Sequence, residues 1–231
     1  LPFTSSFLLP NAAIIDPRMT LTLPPHITAA TAMDAMTHAT EAFTCMAKNP
    51  LSDAYATAAI KKISQSLLQV MDNPKDSDGR LELAQASTMA GIAFSNSMVG
   101  LVHALGHATG AVCHLPHGLC MSLYLPYALE YNLETIREPL GELLLYLEGP
   151  EVFAATPASR RAEASISAIR KLRDALYKRC QLPRTLKETG KVTEAQLDHI
   201  AEMALDDGSI MFNPKEVTLE DARSVLRRAW A

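Results

Sequence analysis

The stretch "LVHALGHATGAVCHLPHG", Leu101 to Gly118, carries four of the chain's seven histidines: His103, His107, His114 and His117. His103 and His107 lie four residues apart, among Leu101, Val102, Ala104, Leu105, Gly106, Ala108, Gly110 and Ala111. Residues this apolar and this small read as a buried helix that lets its neighbours approach closely. The i, i+4 spacing stacks the two imidazoles on one face. Two imidazoles in a buried helix need partners, because an unpaired buried polar group costs about 1–3 kcal/mol. Pro116 and Gly118 flank His117 and fix its ring at the mouth of a following helix. His114, in the loop before the proline, reads as exposed or structural.

A second segment has the same spacing. In "MDAMTHATEAF", Met33 to Phe43, a carboxylate (Asp34) and an imidazole (His38) stand four residues apart. On a helix such side chains lie about 6 Å apart on one face and can share a divalent metal. Glu41 continues that face and can orient or neutralise the site from behind the ligands. Each pair taken alone is equally a satisfied polar stripe or a hydrogen-bonded core histidine. Taken together, three segments offer one carboxylate and several imidazoles. Three nitrogens and one oxygen make a four-ligand site for Fe²⁺ or Zn²⁺. The spacing leaves open which of His103, His107, His114 and His117 take part.

The rest of the chain supplies the frame. It has 231 residues, 48% hydrophobic and 20% charged, with a net charge of -4. That is enough for one large or two small domains. Lys and Arg are scattered, which argues against a nucleic-acid or anionic-membrane partner. No apolar run is long enough to span a membrane. The amino-terminal "LPFTSSFLLP" lacks the parts of a signal peptide. Cys45, Cys113, Cys120 and Cys180 show no CxxC spacing and read as reduced thiols of a cytoplasmic protein.

From Thr28 onward the periodicity is helical. It predicts helices over 28–47, from Ser52 with Ile60, Ile63, Leu67 and Val70 on one face, and over 80–97, 99–112, 117–131, 133–147, 160–180, 194–206 and 218–230. Pro126 and Pro139 kink or split two of them. Thr193 with Gln196, and Thr218 with Asp221, mark helix starts. Leu147 to Ser159 reads as an irregular insertion. The fold class is all-α, a domain of about nine helices over 26–231. The run "NAAIIDP" before it, Asn11 to Pro17, reads as a buried strand and a turn. A lone buried strand lacks ladder partners, so residues 1–25 are expected to belong to a sheet outside this sequence.

"TAATAMDAMTHATEAF", "NPLSDAYATAAI", "AGIAFSNSMVGLVHALGHATGAVCHLPHGLCMSLYLPYALEYN" and the terminal "NPKEVTLEDARSVLRRAW" together resemble the iron-containing (group III) alcohol dehydrogenase family. The resemblance covers residues 11–231 and implies more than spacing does. It implies that Asp34, His38, His103 and His117 bind the metal, Fe²⁺ with Zn²⁺ as the alternative. His107 is implied to lie beside the nicotinamide and the substrate oxygen as a proton relay. Phe94 is implied to line the substrate pocket, together with the segment Asp206 to Phe212, and Met19 to lie beside the cofactor. The implied activity oxidises a small alcohol to an aldehyde or ketone with NAD or NADP, in a homo-oligomer such as a dimer. The chain departs from the family in having no Gly-rich phosphate turn. It is therefore expected to be the carboxy-terminal, metal-binding half, its short strand left from an α/β dinucleotide-binding domain, and to be inactive alone. Two other readings compete. A helical metal-binding or oligomerisation module need not catalyse anything. An all-α metal-dependent phosphohydrolase would show an adjacent His-Asp pair, whereas the chain has Asp198-His199 in reverse order.

Overall fold

A computed structural model describes residues 6–8 and 10–231. Residues 1–5 and Leu9, part of the segment read as lacking a signal peptide, lie outside the described residues. The described residues form ten α-helices joined by loops and short 3-10 turns, and none is in a strand. The all-α class holds.

Helix α1 (Pro25–Thr44) starts with Pro25 at its first position, where a missing N–H costs nothing. It is buried almost all round: Ala29, Met33, Met36, Ala39 and Ala42 have no exposed surface. It packs against α2 (Pro50–Asp72), α3 (Ser77–Ser95) and α5 (His117–Glu142), and so forms the axis of the core. Asn49 ends the link from α1 and caps α2, its Oδ1 accepting from the Leu51 and Ser52 amides. The predicted face of α2, Ile60, Ile63, Leu67 and Val70, is fully buried. Asp76 caps α3 by accepting from the Gly79 amide.

Helix α4 (Leu101–Cys113) lies on α5, and Gly106 makes the contact. A Cβ there would sit 1.9 Å from Met121 Cε and 3.3 Å from Cys120 Cβ. Beyond α5 come α6 (Leu144–Glu148), α7 (Pro150–Ala155), α8 (Arg161–Cys180), α9 (Leu197–Leu205) and α10 (Leu219–Trp230). Thr218 and Asp221 close a reciprocal cap at the start of α10, as predicted.

Three expectations are corrected. The predicted helices 117–131 and 133–147 are one helix as far as Glu142, α5, which runs through Pro126 and bends at Ile136 (φ -110°, ψ 16°), and the remainder falls in the separate α6. The bend lies one turn before Pro139, whose ring crowds the carbonyl four residues back. The segment 147–159 is not wholly irregular. Gly149 turns the chain at φ 89° and Pro150 starts α7. The strand predicted at 11–15 is not formed: those residues have no regular structure, and Ile14 is 94% exposed. No described segment offers it a ladder, so its apolar side chains alone do not make a strand. Among the described residues no helix is long and apolar enough to cross a membrane.

Candidate metal centre

Three helices converge at one point. Asp34 and His38 come from α1, His103 from α4, and His117 from the first position of α5. One ligand atom from each of the four lies within 4.8 Å of the others. His117 Nε2 stands 3.3 Å from Asp34 Oδ1, and His38 Nδ1 stands 3.6 Å from the same oxygen. The rings of His38 and His103 are 4.4 Å apart, and those of His103 and His117 are 5.5 Å apart. The spacing argument left four histidines eligible, and the packing gathers two of them, His103 and His117, beside His38. His107 lies at the rim, its ring stacked on that of His117 at 5.2 Å. His114 caps the end of α4 in a left-handed conformation (φ 54°) and is exposed.

Small residues make the convergence possible. A Cβ on Gly118 would lie 2.5 Å from the Ala30 carbonyl oxygen and 3.4 Å from Asp34 Cβ. Glycine at 118 therefore lets α5 begin directly against α1, so that His117 reaches Asp34.

The ligand side chains are held from behind. His103 Nδ1–H donates to Glu41 Oε2 at 2.5 Å, deep in the protein. The other oxygen of Glu41 accepts from the Val102 amide at 2.8 Å. Gly100, the residue before α4, has no capping side chain of its own. The first amides of α4 are satisfied from elsewhere, Val102 by Glu41 and Leu101 by Asn213 Oδ1. Asn213 is fixed in turn by reciprocal side-chain bonds with Asn132 on α5. One carboxylate thus both caps α4 and orients the His103 ring.

The donor chemistry fits a metal. Glu41 occupies His103 Nδ1, so its Nε2 presents a lone pair. That atom is buried and has no hydrogen-bond partner, and Asp34 Oδ1 is in the same state. Orphaned buried polar atoms are rare and costly, and a cation between these two satisfies both. Burial pulls the His38 pKa down to about 4, so at neutral pH its ring is an uncharged donor. Burial alone would raise the Asp34 carboxyl. The close approach of the His117 imidazole, with His38 and His103 nearby, outweighs it and holds the group below its ordinary value as a carboxylate. Three imidazole nitrogens and one carboxylate oxygen suit Fe²⁺ or Zn²⁺ better than Ca²⁺ or Mg²⁺.

The site is closed on one side and open on the other. The His103 side chain is 3% exposed, whereas those of His107 and His117 are 43% and 41% exposed. Phe94, at the end of α3, stacks on His38 with centroids 4.3 Å apart and so forms an apolar wall of the cluster. His107 Nδ1–H donates to Asp207 Oδ2 at 2.8 Å. Burial pushes the Asp207 carboxyl up, but hydrogen bonds from His107 and Ser209 bring it down to about 2. The sequence points to the segment from Asp206 to Phe212 as pocket wall, but not to Asp207 as partner of His107, 100 residues away. Met19 lies elsewhere. It is 79% exposed and lines a 430 Å³ groove with Ile15, Leu23, Ala35, Leu83 and Arg80, between α1 and α3.

The sequence model of the Fe-containing alcohol dehydrogenase family, C-terminal part, matches residues 28–230. The chain is 36% identical over 223 residues to alcohol dehydrogenase 4 of Saccharomyces cerevisiae, covering 96% of this chain and 55% of that protein. It is 35% identical over 223 residues to 1,3-propanediol dehydrogenase of Citrobacter freundii, covering 96% of this chain and 56% of that protein. The fold superposes on an alcohol dehydrogenase from Oenococcus oeni with a TM-score of 0.85 at 34% identity, over 93% of this chain and 54% of that one. The chain spans about half the length of the curated relatives it matches.

Proposed function

The chain belongs to the iron-containing alcohol dehydrogenase family, and on that premise we propose that its four-donor cluster is the metal centre of an NAD(P)-dependent alcohol dehydrogenase. Family membership sets the phosphohydrolase reading aside. The observation that carries the proposal is the pair of buried, partnerless donor atoms, Asp34 Oδ1 and His103 Nε2, facing one cluster. Asp34, His38, His103 and His117 would hold a divalent iron, with zinc as the alternative that the same donors accept. When bound, the metal polarises the oxygen of a small alcohol or aldehyde, and NAD or NADP carries the hydride.

This chain's residues do the remaining work. Glu41 fixes the His103 ring so that Nε2 points into the cluster. Phe94 covers one side and excludes water from it. His107, with Nδ1–H held by Asp207, keeps Nε2 free to pass a proton between the substrate oxygen and solvent on the open side. Met19 is assigned to the cofactor side, where the groove between α1 and α3 is open. We assign residues 26–231 to one metal-binding domain. The four cysteines are free thiols, which suits a cytoplasmic protein, and a homodimer is the assembly we propose.

Metal content per chain after anaerobic purification, by plasma mass spectrometry, tests the reading beside the His103→Ala variant. The expected result is about one iron or zinc per chain, lost in the variant. No metal in either protein would overturn the assignment. A second reading, a metal-binding module without catalysis of its own, draws on the coverage of about half of each relative. Oxidation of a small alcohol by this chain with NAD or NADP would decide against it.

A further inference from the structure

Away from the metal cluster, α8 buries a charge that no carboxylate neutralises. The buried face of α8 includes Ile166, Ile169, Arg173 and Leu176, so Arg173 occupies a position where the periodicity calls for an apolar residue. It is 4% exposed. Its Nη2 donates to the Arg184 carbonyl, and its guanidinium lies 5.9 Å from the centre of the Tyr127 ring. Its Nε has no hydrogen-bond partner. Burial, with the charge of Arg170 added, pulls the guanidinium below its ordinary value, although Tyr127 and Asp174 act against this.

The nearby carboxylates are engaged elsewhere. Glu130 pairs with Arg170 at 2.8 Å and also with Arg228. Asp174 pairs with Arg184 Nη1 at 3.0 Å, and Glu188 with Arg184 Nη2 at 3.4 Å. The neighbourhood therefore holds four guanidinium groups and three carboxylates, and the surplus charge is the most buried one. Arg170, Arg173, Arg184, Tyr127, Asp174 and Glu188 line a cavity of 220 Å³, the two carboxylates in its wall being those already paired with Arg184. Arg184 Nε, like Arg173 Nε, is buried and without a partner. Arg173 and Arg184 thus both line one cavity, and each carries a buried Nε that no protein atom partners.

We propose that this cavity binds a small oxyanion, with Arg173 as its buried anchor and Arg184 at its rim. A buried cation without a counter-ion is costly, and a guanidinium edge matches the spacing of two oxygens on a carboxylate or phosphate. The site is separate from the metal centre and does not depend on the dehydrogenase reading.

The test is thermal melting of the 231-residue chain in inorganic phosphate and in acetate, each against sodium chloride of equal ionic strength, with calorimetric titration for stoichiometry. At least one oxyanion should raise the Tm, by on the order of 5 °C at a hundredfold excess over Kd, with one site per chain. Which of the two does so separates phosphate from carboxylate chemistry. The Arg173→Leu variant, which leaves the metal ligands intact, should lose the response. Should that variant fail to fold, Arg184→Ala should weaken binding about tenfold while Arg173 stays in place. No oxyanion-specific shift in the wild-type chain would overturn the proposal. So would a full response in Arg173→Leu, or undiminished binding in Arg184→Ala.

Discussion

The metal cluster and the arginine cavity make an instructive pair. Both are built around buried polar atoms without partners: Asp34 Oδ1 and His103 Nε2 in one, Arg173 Nε and Arg184 Nε in the other. In the first, the orphaned atoms are lone pairs, so the missing partner is a cation. In the second they are N–H donors beside a surplus positive charge, so the missing partner is an anion. The supports also differ. The metal cluster stands on three helices and a hydrogen-bonded carboxylate, all deep in the core. The arginine cavity is closed on one side by the segment around Arg184 and Glu188, outside any α-helix. The metal cluster is therefore expected to be the stiffer of the two and the more sensitive to changes behind it.

Four substitutions probe that stiffness, from the largest effect to the smallest. Glu41→Ala removes both the α4 cap and the His103 partner. It should cost about 2–4 kcal/mol of stability in urea unfolding and weaken metal binding by about 10–100-fold in chelator competition. Metal affinity at the wild-type level would mean that the His103 ring needs no support, and the contrast would collapse. Gly118→Ala drives a Cβ against the Ala30 carbonyl. It should cost about 1–3 kcal/mol and weaken metal binding through the displaced His117, and an unchanged Tm would show that α5 can start further from α1. Asn213→Ala should cost about 1–2 kcal/mol by uncapping Leu101 and freeing Asn132, with metal content unchanged. Loss of metal there would extend the site's rigid support beyond Glu41. His114→Gly relieves a left-handed backbone and should stabilise by about 0.5 kcal/mol. A fall in metal content with it would make His114 a ligand and break the assignment.

Much of the metal cluster was legible in the sequence because its parts are local. Asp34 with His38 and His103 with His107 are i, i+4 pairs, and Pro116-His117-Gly118 marks a helix start. The cap at Thr218 places the start of α10 in the same way, whereas α2 starts at Pro50, capped by Asn49, two residues before the expected Ser52. What periodicity cannot supply is the choice between two histidines on one helix face. His103 differs from His107 only in what packs on it, Glu41 from another helix in one case and Asp207 from a distant loop in the other. The resemblance to a family made that choice where spacing left it open. The arginine cavity had no local signature: Tyr127, Arg170 and Arg184 meet only once α5, α8 and the following loop are folded. The apolar run at 11–15 forms no strand within this chain because hydrophobicity fixes which side chains prefer burial, while a strand also needs a neighbour for its backbone.

The shared carboxylate of Glu41 has a consequence for exchange kinetics. The Val102 amide proton is bonded to the same side chain that steadies the His103 ring, so the opening of that one proton to solvent is thermodynamically linked to what the ring's far nitrogen holds. Filling the cluster must slow deuterium uptake at the start of α4, and emptying it must speed uptake there before the rest of the helix responds. A single backbone proton thus acts as an occupancy gauge for a site it does not touch.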